Sequence, residues 1–247
     1  MSARRVLVAL IPALLLGACA SPAERAAQRN IAQINTQLGV NYAREGQYDR
    51  AIEKLQAAVA ARNDYAPAHS ALAVIYQSRG ESDAAEKEYR RALALDGSDP
   101  TVKNNFGVFL CERGKNDEAR AYFMDVVNDV RYPAPQEVWT NAGICVKKKD
   151  PKLAEHDFRE ALRIKPDYRD ALAQMALLSF DQQDFLRTRA FLQRYDLKQS
   201  ATPELLGVAA RTEYALGNRE GALEFARRVV QEFPASKEAE LFADWQP

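Results

Sequence analysis

The sequence predicts an all-α protein: a right-handed superhelical solenoid of about six helix–turn–helix units, sealed by a short C-terminal helix. Three observations predict it. Leu38-Gly39, Leu72-Ala73 and Phe106-Gly107 recur at intervals of 34 residues, each followed three positions on by Tyr42, Tyr76 or Leu110. A turn residue (Gly46, Gly80, Gly114, Gln183, Gly217) then precedes a second stripe: Ala51, Ala85, Ala119, Ala154 and Ala222. Large or small apolar residues lie four and seven positions beyond each, which is one helix face. Pro166 and Pro234 stand where second helices should stop, because proline does not continue a helix. Self-similarity at this period marks stacked supersecondary units rather than a globular layer fold.

At the N-terminus, Arg4 and Arg5 precede the apolar run Val6–Leu16, which is the layout of a secretory signal. The run falls short of the ~20 apolar residues that span a bilayer, and Pro12 interrupts it. Residues 1–18 are therefore expected to be a signal peptide. Leu16, Gly17, Ala18 and Cys19 resemble the bacterial lipobox, and the resemblance implies cleavage before Cys19 and its acylation. Ala20 stands where Asp usually directs retention in the inner membrane, so the same rule implies the periplasmic face of the bacterial outer membrane. Residues 19–31, rich in Ala and polar side chains, are expected to act as a short tether, reaching only about 35 Å even when extended.

The body, residues 32–236, divides into units 32–65, 66–99, 100–135, 136–168, 169–202 and 203–236. A small residue on each first helix admits the second, and a neighbouring large residue fills the space. This placement resembles the tetratricopeptide repeat (TPR) along nearly the whole body. The fifth unit departs from it at Ser179 and Thr188. The third is lengthened around Tyr132-Pro133-Ala134-Pro135, and the fourth has a shortened turn at Lys147 to Pro151. In the tail, 237–247, Leu241, Phe242 and Trp245 fall at helical spacing, as expected of a cap over the open apolar end.

In TPR stacks the first helices line a concave face, with positions two, five, nine and twelve of each repeat directed into it. Position nine reads Val40, Val74, Val108, Ile144 and Leu177, and position five reads Thr36, Ser70, Asn104 and Thr140. The apolar stripe suits a peptide-binding groove with hydrogen-bonding neighbours. A seam between adjacent first helices would look the same, and both readings stand at this point. Lys, Arg and Asn, which clamp a partner's C-terminal carboxylate in some TPR grooves, are mostly missing from these positions.

Charge and chemistry exclude other classes. The chain has 34 basic and 34 acidic residues among 247; removing Arg4 and Arg5 leaves 32 against 34. Nothing favours nucleic acid, whose binding needs clustered cations. The two histidines, His69 and His156, lie in no catalytic or metal-ligand motif, and no phosphate-binding loop is present, so neither an enzyme nor a small-molecule substrate, cofactor or metal is expected. Cys111 and Cys145 fall at the ends of neighbouring first helices, where an oxidising compartment makes a disulfide plausible; two buried free thiols are the alternative.

Two stretches, Asn104–Gly114 and Val138–Cys145, carry Asn, Gly and Cys in the same order. Together with the lipobox and six repeats they resemble the type IV pilus biogenesis and stability lipoproteins, the PilF/PilW group. Members of that group act as pilotins, outer-membrane lipoproteins that help the secretin pore localise and multimerise. The resemblance implies a secretin subunit as partner, an outer-membrane lipid anchor, and an interaction scaffold without turnover chemistry. A periplasmic adaptor that tethers a cell-wall-remodelling enzyme or stabilises assembled pili is the second reading.

Overall fold

The computed structural model describes residues 21–245. The signal segment 1–18 and Cys19 lie outside the described residues. Thirteen helices and no strand are present among the described residues. They pair as α1 (Pro22–Arg44) with α2 (Tyr48–Ala61), α3 (Ala66–Ser78) with α4 (Ser82–Leu95), and α5 (Pro100–Glu112) with α6 (Asn116–Val127). The series continues with α7 (Pro135–Val146) and α8 (Pro151–Ile164), α9 (Arg169–Asp181) and α10 (Phe185–Tyr195), α11 (Pro203–Ala215) and α12 (Arg219–Glu232). The short α13 (Lys237–Phe242) follows.

Local chemistry sets these boundaries. Proline occupies the first turn of α5, α7, α8 and α11, where its missing N–H costs nothing. Asp99, Asp150 and Thr202 cap three of those helices by accepting from backbone N–H groups of the first turn. The turns inside repeats one, two, three and six require a left-handed residue, and Gly46, Gly80, Gly114 and Gly217 supply it with φ of 74–79°. Repeat five uses Gln183 at φ 59°, a conformation that a side chain adopts only at a cost.

Within each repeat, the small residue of the first helix faces the large residue of the second. A Cβ on Gly107 would come within 2.7 Å of the Phe123 ring, and one on Gly143 within 2.5 Å of the Phe158 ring. Both rings are fully buried, so neither can yield. Tyr89, Phe106 and Phe109 pack at ring separations of 5.3–6.0 Å, the two phenylalanines stacked and the tyrosine tilted against both, to join repeats two and three. Ser179 and Thr188, the two departures in repeat five, are both fully buried. The Thr188 hydroxyl donates to the Asp184 carbonyl at 2.9 Å, whereas Ser179 Oγ has no hydrogen-bond partner among the described residues.

The two helical layers are held differently. Each of α1, α3, α5, α7 and α9 has Cα atoms within 8 Å of the next odd-numbered helix, while no two successive even-numbered helices approach that closely. The odd layer is therefore the inner, tighter side of a curved stack. The outer layer is spanned by long side chains: Arg90 to Glu118 at 3.2 Å, Arg120 to Asp157 at 2.5 Å and Arg187 to Glu155 at 2.7 Å.

The two ends depart from the sequence expectation. Residues 22–31 are not an extended tether but the first turns of α1. Ser21 Oγ accepts from the Glu24 N–H at 3.2 Å and the Glu24 carboxylate accepts from the Ser21 N–H at 2.6 Å, a reciprocal cap that starts the helix at once. At the C-terminus, α13 covers repeat six through Ala239 and Phe242, 4% and 5% exposed, with Trp245 at 5.0 Å from the Phe242 ring. Leu241 takes no part in that cover and is 57% exposed, because the helix turns its neighbour inward.

Candidate protein-binding groove

The inner layer carries a cleft of about 460 Å³ across repeats two to four. Val74, Gln77 and Ser78 of α3 form one side, Asn104, Asn105, Val108 and Glu112 of α5 the middle, and Glu137 and Asn141 of α7 the other side. Tyr89 of α4 closes the floor. Its buried hydroxyl donates to Gln77 Oε1 at 2.8 Å, and Gln77 Nε2 in turn donates to Glu112 Oε2 at 2.8 Å. Burial pushes the Tyr89 hydroxyl above its ordinary pKa, with the Glu112 charge adding to the shift. Asn141 Nδ2 donates to Asn104 Oδ1 at 3.3 Å, and Asn104 Nδ2 donates to the Tyr132 hydroxyl at 3.3 Å. The floor is thus a fixed polar network beside two valines, and two carboxylates line the cleft without a lysine or arginine.

The position-nine stripe divides between open surface and the margin of the core. Val74 and Ile144 are 39% and 43% exposed, and Val40, Val108 and Leu177 are half-buried. Val74 and Val108 meet in the cleft; Val40, Ile144 and Leu177 lie outside its lining. Position five behaves differently. Thr36 and Thr140 are buried and spend their hydroxyl protons on their own helices, donating to the Ala32 and Gln136 carbonyls at 2.8 Å. Such back-bonding leaves little for a partner. Asn104 lines the cleft while nearly buried, and Ser70 is half-buried on α3 outside it. Gln77, Asn105, Glu112, Glu137 and Asn141 were not singled out from the sequence. Gln77 and Glu137 occupy positions twelve and two, so applying those two positions of the repeat rule would have found both.

Cys111 of α5 and Cys145 of α7 are joined as a disulfide with their Cα atoms 5.5 Å apart and a sequence separation of 34. Closing a loop of that length constrains the unfolded chain by about 4 kcal/mol in the chain-entropy picture. Cys111→Ser is accordingly expected to lower the denaturation midpoint by the equivalent of about 2–4 kcal/mol. The same loss should follow when the wild type is melted under reducing conditions. Identical midpoints for oxidised and reduced protein would rule out a stabilising role.

Among the described residues, no group of three or more His, Cys, Asp or Glu could hold a metal ion, and no helix is long and apolar enough to cross a membrane.

The paired helices, the left-handed turns and the curved inner layer define a tetratricopeptide-repeat solenoid, a protein-interaction scaffold. Family models described as tetratricopeptide repeat match residues 42–104, 101–129 and 209–236. No curated protein matches the chain in sequence. Among solved structures, the chain is similar to PilW, described as a widely conserved type IV pilus biogenesis factor. The identity is 27% and the TM-score 0.80, over 86% of this chain and 98% of that one. It is also similar to Pseudomonas aeruginosa PilF, at 27% identity and a TM-score of 0.77, over 88% of this chain and 98% of that one. A tetratricopeptide repeat protein from Parabacteroides merdae, at 16% identity and a TM-score of 0.68, shares the fold over 87% of this chain and 84% of its own. The resemblance to the pilus TPR proteins that the sequence carries thus extends to the three-dimensional structure.

Proposed function

We propose that the protein is an outer-membrane lipoprotein that assists localisation and multimerisation of the secretin of a type IV pilus, acting as a pilotin. The observation that carries this reading is the match to a type IV pilus biogenesis factor over 98% of that factor's length, at a TM-score of 0.80. In this mechanism the acyl chains on Cys19 carry the scaffold along the lipoprotein sorting route while the cleft on α3, α5 and α7 holds a secretin segment. Delivery and membrane retention are then a single event. The lining suits an apolar segment whose backbone meets Asn105 and Asn141 and which carries a cationic side chain for Glu112 and Glu137.

Cys19→Ala tests the anchor and the function together. The variant should leave the outer-membrane fraction, because stable attachment needs more than one acyl chain or a second signal. Secretin multimers resolved on a denaturing gel without boiling should fall in parallel. A variant that still fractionates with the outer membrane counts against the lipid anchor. Multimers that persist after loss of the anchor favour the adaptor reading, in which the scaffold tethers a cell-wall-remodelling enzyme or stabilises finished pili.

A further inference from the structure

The two ends of the solenoid are finished differently. At the C-terminus, α13 buries Ala239 and Phe242 against repeat six. At the N-terminus nothing among the described residues covers α1, where Ile31, Ile34 and Leu38 stand 48%, 51% and 41% exposed. With the exposed Ala27 they fall at intervals of four, three and four, a single helix face. Leu38 holds the repeat position whose counterparts Leu72, Phe106 and Met175 are 0–3% exposed, because each of those has a preceding repeat to pack against.

We infer that the lipid leaflet covers this face: α1 lies along the membrane surface and seats Ile31, Ile34 and Leu38 at the boundary between headgroups and acyl chains. The inference rests on the anchor at Cys19 proposed above, and three observations point from that anchor to the membrane. First, Ser21 caps α1 two residues after Cys19, so the acylated residue sits within roughly 7 Å of the first turn. Only Ala20 lies between Cys19 and that cap in sequence. A helix standing on end would lift Leu38 about 25 Å from the anchor, whereas one lying flat brings all three residues to the interface. Second, residues 30–43 contain no charged side chain in a chain that is 28% charged. A face without charges can enter the boundary between headgroups and acyl chains without desolvating an ion. Third, three partly exposed side chains fall far short of the ~800 Å² per partner that a stable protein interface buries, which argues against a second copy. The membrane then closes the N-terminal end as α13 closes the other, and the stack rises from the leaflet with repeats two to four held above it.

The test uses full-length lipidated protein, its acylation at Cys19 confirmed by mass, reconstituted into vesicles of phosphatidylethanolamine and phosphatidylglycerol. An environment-sensitive fluorophore is attached at Ile34→Cys and, separately, at Gln33→Cys, which is exposed on another face of α1. The probe at 34 should shift to the blue, lose quenching by aqueous iodide and be quenched by nitroxide-labelled lipid, while the probe at 33 stays open to iodide. Acylated protein whose probe at 34 is as open to iodide as that at 33 overturns the inference and leaves the anchor standing. Protection from iodide without quenching by labelled lipid also overturns it, since a protein surface then covers the face. A chain without acyl groups at Cys19 removes the anchor and the inference together.

Discussion

Val74→Glu combined with Ile144→Glu is expected to abolish partner binding while leaving the free protein folded and nearly as stable as wild type. Both side chains are exposed on the inner layer, so the new carboxylates stay in water until a partner arrives. Once a segment docks, the carboxylate at position 74 is buried in the cleft, where Glu112 and Glu137 already compete for the segment's cationic group, at a cost of about 3–5 kcal/mol, and the one at position 144 extends the test along the stripe beyond the cleft. That is a loss of at least about 100-fold in affinity. Val108 is a poorer choice than Ile144, because it is half-buried against the aromatic core and its replacement also disturbs folding. Circular dichroism melts and the secretin-multimer gel on the same variant separate the effects. A stable double variant with full multimerisation would exclude the stripe as a binding surface, and a large drop in melting temperature would show that it bears on folding.

The second large effect concerns Asp157, a carboxylate on α8 with no solvent exposure. Arg120 on α6 embraces it through two bonds, at 2.5 and 3.2 Å, and the exposed His156 ring lies 3.2 Å from the same group. Arg120→Ala is expected to cost about 3–5 kcal/mol, because it strands a buried charge rather than merely deleting an attraction. Replacing both partners, Arg120→Ala with Asp157→Leu, should recover most of that loss. Urea unfolding of the three proteins measures it. A single variant within about 1 kcal/mol of wild type would mean that water reaches Asp157 after all.

The repeats were readable because packing imposes them: Gly107 and Gly143 must be small where Phe123 and Phe158 are large, and that pairing recurs at a fixed period. The cleft was read less well, because residues of one position face different surroundings from repeat to repeat. Thr36 and Thr140 share a position with Asn104, yet a threonine hydroxyl can reach its own helix carbonyl and an asparagine amide instead extends toward Tyr132 and Asn141. Glu112 and Asn105 sit outside the usual groove positions, and only the curvature of the stack brings them to Val74. The error at the N-terminus had a local signal. Ser21-Pro22-Ala23-Glu24 has capping-box spacing with proline at the first helical position, which outweighs a composition that suggested a tether. Leu241 failed for the opposite reason: helical spacing says which residues share a face and not which face turns inward.

The disulfide divides the molecule mechanically. The outer layer is joined by ion pairs between helices whose backbones stand apart, and in one of them, Arg120 to Asp157, the carboxylate is buried. Cys111 and Cys145 add a covalent tie between α5 and α7, the two helices that supply the middle and far wall of the cleft. The disulfide is therefore a rivet set at the cleft: the spacing of α5 and α7 is fixed covalently there, whereas the other neighbouring inner helices are held by non-covalent contacts alone among the described residues.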